Sequence, residues 1–304
     1  MSAVHMNHTH NVTSTNTKAL KISAVLIFIY FIFEIAVALA TGSLSLLADA
    51  GHELSTFIAV GVSLIAMRLA HAPANARRTF GLMRVEVLAA LVNGLLLLIM
   101  AGFIIIQGVE RINHPMEVPS LPMFIMAIGG IGLEIASLAI MYKGQKKDLN
   151  MRGSFWHVVN AFLGSLAVII AAIFIQVGQI YVADAWAGIL FAIILAYAAY
   201  GIIKDAVYIL LDATPQDVDL PEIARELKSI PGVVTVHHLH ARTITSGVKT
   251  FSCHMVINDM SLGATILQDA KKITDDKYKF NLSTIQLEEE DLRETDTTAL
   301  EAGL

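Results

Sequence analysis

Residues 48–56, ADAGHELST, place Asp49, His52 and Thr56 three and four residues apart, a spacing that gathers their side chains on one face of a helix. A second stretch, GSFWHVVNAFLGS, repeats the theme, with His157 and Asn160 on one face and Ala161 one turn beyond His157. Imidazole and carboxylate together suit coordination of a divalent cation, and imidazole also exchanges protons near neutral pH. Both stretches lie in runs of Leu, Ile, Val and Ala, where an ionisable group is costly enough to mark a functional site. Buried polar residues that tie helices together are the competing reading, and two segments with matching H-x-x-x patterns favour a metal site. Glu53 lies one residue round the helix from His52 and is expected to face away, while Glu134 is a further acid in an apolar run. His5, His8 and His10 in HMNHTH offer weak capture of metal by a short tail.

The elements that must position these residues are membrane helices. Of the 304 residues, 55% are hydrophobic and 15% charged, far from the averages of a soluble domain. Windows of about 20 apolar residues, the length that crosses the hydrocarbon core, fall at 20–41, 44–67, 85–107, 121–142, 154–176 and 181–211, which predicts six transmembrane helices. LATGSLS is a poor cleavage site, so the first window reads as a helix and not as a signal peptide. The connection after the second window holds Arg68, Arg77, Arg78 and Arg84, and the one after the fourth holds Lys143, Lys146, Lys147 and Arg152; the other three together hold only Arg111. Cytoplasmic connections collect Lys and Arg, so both termini are expected in the cytoplasm. The single cysteine, Cys253, excludes an intrachain disulfide and fits a reducing compartment.

Hydrophobicity stops near residue 211. A helical pattern at 220–230 is followed by two alternating runs at 233–244 and 250–258, a second helix at 262–277 and a third strand, LSTIQLE, which together predict a small α/β unit. The chain thus divides into a polar histidine-bearing tail (1–19), a six-helix transmembrane domain (20–211) and a cytoplasmic α/β domain (212–304). Residues 212–304 carry 16 Asp and Glu against 9 Lys and Arg, a net charge of −7, and residues 1–211 carry a net +2. An acidic domain argues against nucleic acid or anionic lipid as its partner and for the attraction of cations.

GSLSLLADAGHELS, RRTFGLMRVEVLAALVNG, QGVERINHP, LNMRGSFWHVVNAFLGS, VADAWAGI, LLDATP and VHHLHARTITSG resemble, in order and spacing, successive signatures of the cation diffusion facilitators, and most of all their zinc, cobalt and cadmium exporters. The resemblance covers nearly the whole chain. It implies a homodimer of six-helix subunits in the lipid of the cytoplasmic (inner) membrane, each with a ferredoxin-like cytoplasmic domain. It also implies a secondary transporter, not an enzyme, that exports a divalent metal, above all Zn²⁺, in exchange for protons.

In that family the transport site is a pair of H-x-x-x-D motifs on the second and fifth helices, which form a two-His, two-Asp cage. His52 and His157 match, while Thr56 and Ala161 stand at the aspartate positions. A site displaced by part of a turn, built from Asp49, His52, His157 and Asn160, is the alternative source of ligands. Members with an intact cage also carry an acid at the place of Asp49, which leaves a structural or entry-path role open. Glu34, Asn93 and Asp184 match polar family positions, and Asn93 is expected in helix packing. In the cytoplasmic domain the resemblance implies regulatory metal near the dimer contact, bound by an HDLH segment, a His on the next strand and a His near the last strand. His237, His240 and His254 remain, His238 replaces the aspartate, and Leu282 and Ser283 stand where the last His would fall. Two functions follow: proton-coupled metal efflux, or a transport-incompetent member acting as a regulatory or partner subunit.

Overall fold

The computed structural model describes residues 14–70, 75–141, 149–245 and 247–290. They belong to two compact units, one within 1–63 and 92–201, the other within 64–91 and 202–304. His5, His8 and His10 lie outside the described residues.

Six long helices occupy the six apolar windows: α1 (Ser14–Thr41), α2 (Leu44–Ala70), α3 (Arg84–Asn113), α4 (Ser120–Met141), α5 (Leu149–Gly178) and α6 (Val182–Leu210). Among the described residues, four stretches are long and apolar enough to cross a membrane: Arg84–Asn113, Ser120–Ala139, Ala161–Gly178 and Val182–Leu210. The last of these, α6, carries a row of small residues on its buried face. On α6, Ala185, Ala192 and Ala199 recur every seven residues and all are buried, letting neighbouring helices approach closely where water supplies no driving force. Opposite faces carry exposed Ile99, Phe103, Ile106, Ile193 and Tyr197.

The start of α2, the helix that carries Asp49 and His52, is held by a residue 140 positions away. Asp184, buried at the start of α6, accepts from Ser43 Oγ (2.6 Å), Leu44 N (2.7 Å), Ser45 N (3.2 Å) and Ser45 Oγ (2.6 Å). It therefore caps the first turn of α2 in trans and satisfies amides that a helix leaves open. Arg111 stands 3.9 Å from the same carboxylate and donates to the Gly42 carbonyl. Further along, Asn93 Nδ2 donates to Ser55 Oγ (3.0 Å), tying α3 to α2.

The second unit contains α7 (Leu220–Lys228), β1 (Val233–Thr245), β2 (Val248–Ile257), α8 (Gly263–Lys271) and β3 (Leu282–Glu288). Asp219 caps α7 by accepting from Glu222 N at 3.0 Å. β1 and β2 pair antiparallel, while β3 joins β2 in parallel, giving the order β1-β2-β3. A parallel pair needs a crossover, which α8 and the π-helical turn Lys272–Lys277 supply. One sheet face buries Leu239, Ala241, Phe251, Cys253 and Met255 against Ile223 and Leu227 of α7 and Ile266 of α8. Burial pushes the Cys253 thiol up to about 12. Elsewhere in this unit Asp212 pairs with both Arg84 and Arg242, and Thr245 donates to Glu86.

Candidate metal centres

The sheet face turned away from the core carries the first centre. β1 and β2 pair His237 with His254 and His240 with Ser252, so three steps on β1 match two on β2. The extra residue is accommodated at a bulge, where His238 takes a positive φ of 51°. The bulge corrects the parity: His237 and His240, an odd number of residues apart, share one face, and Leu239 still points into the core. His237 and Glu288 are buried and His254 half-buried.

His237, His254 and Glu288 offer donor atoms that all lie within 4.8 Å of one another. Glu288 Oε1 stands 2.8 Å from His254 Nδ1, and Oε2 stands 3.4 Å from His237 Nε2. Gln286 Nε2 also donates to Oε1 at 2.9 Å, fixing the carboxylate. The His238 ring lies 5.1 Å from that of His254 and 5.3 Å from that of His237. Two imidazole nitrogens and a carboxylate suit Zn²⁺ or a neighbouring transition metal, which takes such ligands in tetrahedral sites. His240 lies outside this group: it is exposed and lines a surface hollow with Ser252, Arg242 and Thr284. Partial desolvation, then His238, His254 and Arg242, hold its imidazole below the ordinary value.

Sequence reasoning missed Glu288. Its signal is the alternation on β3, where Ile285 and Leu287 pack on the core and Gln286 and Glu288 take the other face. Leu282 and Ser283, the expected position of a last ligand, pair with Thr250 and Phe251, well along the strand from His254, which pairs with Gln286.

The second centre is inside the helix bundle. His52 is buried, with its ring edge-on to Phe191 at 6.0 Å between centroids. Asp49, also buried, accepts from Ser165 Oγ of α5 at 3.2 Å, and the same hydroxyl lies 2.9 Å from Glu134 Oε1 of α4. Glu34 of α1 is fully buried beside Asp49 and accepts from Tyr30 at 3.3 Å. Glu53, expected to face away, is half-buried and within electrostatic reach of Glu134. Ala161 is buried. His157 and Asn160 lie on α5 and Thr56 on α2, but their side chains are outside the described residues.

Nitrogen and oxygen donors sunk into an apolar helix bundle, with a His–His–carboxylate group on a small α/β unit, define a membrane protein that deals with metal cations. The chain belongs to the cation efflux family of multi-pass transporters: the cation efflux transmembrane domain matches residues 20–211 and the cation efflux protein cytoplasmic domain, a dimerisation domain, matches 215–290. It is 37% identical to the cadmium, cobalt and zinc/H(+)-K(+) antiporter of Bacillus velezensis, over 93% of this chain and 92% of that protein. It is 32% identical to the metal cation efflux system protein CzcD of Cupriavidus metallidurans, over 92% and 89%. It is 30% identical to the zinc transporter ZitB of Escherichia coli, over 93% of each.

Proposed function

We propose that this chain is a homodimeric transporter with six membrane spans (20–211) and a ferredoxin-like cytoplasmic domain (212–304). It exports a divalent metal, zinc first, from the cytoplasm in exchange for protons. The observation that carries this reading is Asp49 and His52, a carboxylate and an imidazole buried one turn apart inside an apolar bundle. His157 and Asn160, on α5, are the partners assigned to them. Relatives named as zinc, cadmium and cobalt transporters and as a proton antiporter support the substrate and the coupling ion. Metal bound by His237, His254 and Glu288 relieves repulsion between two acidic domains and favours the dimer; His240 is left outside that ligand set.

Everted membrane vesicles, acid inside, test the proposal: they should take up zinc only when they contain the chain, and His52→Ala should abolish the uptake. Uptake no greater than in vesicles lacking the chain overturns it. The second reading, a member that no longer transports, is favoured by Thr56 and Ala161, which stand where the resemblance places aspartates. On that reading the unaltered chain is silent, and Thr56→Asp with Ala161→Asp creates uptake.

A further inference from the structure

We propose that the hollow on the sheet face turned away from the core, framed by His240, Arg242, Thr250 and Ser252, is a binding site for a phosphate group carried on a small organic body. The hollow has a volume of about 670 Å³, within the range of small-molecule sites. Strand register sets its frame. His240 pairs with Ser252 and Arg242 with Thr250, while Ser252 also pairs with Thr284 of β3. Beyond the bulge at His238 the strand alternates regularly, so these side chains share the face opposite Leu239, Ala241 and Phe251 of the core. Paired residues stand roughly 5 Å apart across strands, and next-but-one residues roughly 7 Å apart along a strand. Donors at the corners of such a rectangle suit one tetrahedral oxyanion, whose several oxygens each accept at roughly 2.7–3.0 Å.

The lining leaves positive charge and donors unused. Residues 212–304 are acidic overall, yet Asp212 is the only acid in this lining among the described residues. Arg84 and Arg242 both pair with it, and two guanidinium groups against one carboxylate leave a net positive charge beside the hollow. The Arg242 guanidinium lies over the Phe80 ring, 6.0 Å from its centroid, which steadies it at the rim. The positive field reaches His240, whose imidazole is held down by partial desolvation and then by His238, His254 and Arg242. The hydroxyls of Thr250, Ser252 and Thr284 make no hydrogen bond among the described residues. Thr250 is more than nine-tenths buried, and a hydroxyl sunk that far is normally paired within the protein.

The donor set selects the class of ligand. Guanidinium, imidazole and hydroxyl donors, with the one acid already paired, disfavour a metal cation and favour an oxyanion. Phosphate presents three acceptor oxygens, which matches donors arriving from two strands better than a carboxylate does. The hollow is larger than a phosphate group alone, and Leu220 and Leu282 give its walls an apolar part for the organic body. A soluble phosphate ester and the headgroup of an anionic lipid offer the same chemistry. This inference goes beyond the proposed function, because it needs neither the metal centres nor a transport cycle.

The test is titration calorimetry of glycerol 3-phosphate into the full chain in a maltoside detergent, which carries no phosphate, with a chelator present and glycerol as the control. We expect one glycerol 3-phosphate per chain and no binding of glycerol. Binding should weaken roughly tenfold or more in Arg242→Gln, since charge-assisted hydrogen bonds are the strong ones. It should weaken roughly threefold or more in Thr250→Val, which keeps the shape of the side chain and deletes its hydroxyl. Lys272→Gln, which removes the same charge from an exposed position outside the hollow, should leave binding unchanged; equal weakening there would reveal unspecific attraction and overturn the proposal. No binding, equal binding of glycerol, or unchanged binding in both Arg242→Gln and Thr250→Val also overturns it. Should Arg242→Gln fail to fold, His240→Gln at its exposed position decides: weaker binding supports the site and unchanged binding overturns it. Phosphatidylglycerol added to the micelles assigns the source, since competition with glycerol 3-phosphate identifies a lipid headgroup and its absence a soluble ester. Zinc uptake in vesicles plays no part in this measurement, so the two claims stand or fall separately.

Discussion

Asp184→Ala is expected to loosen the helix that carries Asp49 and His52, without touching either residue. The carboxylate accepts four hydrogen bonds from Ser43, Leu44 and Ser45, and Arg111 lies 3.9 Å away. Removing it leaves two amides and two hydroxyls without their acceptor, all in a buried region. An unsatisfied buried group costs about 1–3 kcal/mol, a lost helix cap alone costs about 1, and stripping one partner from a buried charged pair costs about 3–5. These overlap and do not add, so about 3–5 kcal/mol is the expected loss. For a chain of this size that corresponds to a melting point lowered by roughly 6–20 °C, taking roughly 2–4 °C per kcal/mol. Asp184→Asn keeps one acceptor oxygen and should lose about half as much. Thermal unfolding of the purified protein in lipid nanodiscs measures both. A drop smaller than about 3 °C for Asp184→Ala, on the same scale, would refute the trans-capping argument.

Three further outcomes follow from the same geometry. Glu288→Gln should weaken zinc binding at the His237–His254 centre by roughly 10–100-fold or more, the range seen even for groups that only support metal ligands; His240→Ala should leave it nearly unchanged, and titration calorimetry with the full chain distinguishes the two. The His240 imidazole should titrate below its ordinary value of about 6.5, because partial desolvation and its neighbours His238, His254 and Arg242 resist the charge. The unfolded chain then takes up this proton more readily than the folded one, so stability should fall as pH drops below about 6.5; an NMR midpoint at or above that value contradicts it. Asn75→Cys, exposed between α2 and α3, should react with an impermeant maleimide only after cells are opened, against little background from the buried Cys253 thiol; labelling on intact cells would reverse the assigned orientation.

The parts of this fold that were legible in the sequence are those set by local chemistry. Six helices follow from six apolar windows, and β3 falls on LSTIQLE because alternation in a strand needs only its own residues. Asn93 was readable as a packing residue, since an amide among aliphatic side chains must find a donor or acceptor, here Ser55. The bulge at His238 was not readable: nothing in His-His-Leu-His says which residue is the extra one, and without it His237 and His240 would face opposite ways. Glu288 was hidden in the acidic run Glu288–Glu289–Glu290–Asp291, where only strand register singles it out. Glu34 and Glu134 were visible as acids in apolar runs, but their convergence on Asp49 depends on helix contacts made at Gly130 and Gly164. Asp184 gave no hint of its role, because its partners lie on another helix 140 residues away.

The most direct test of metal efflux by this chain is simultaneous recording of zinc entry and internal pH in proteoliposomes that hold only the purified protein. With an acidic interior, added zinc should enter and internal pH should rise in step, and both signals should vanish with His52→Ala. Zinc entry with no change in internal pH would contradict proton exchange, and neither signal above protein-free liposomes would contradict transport by this chain.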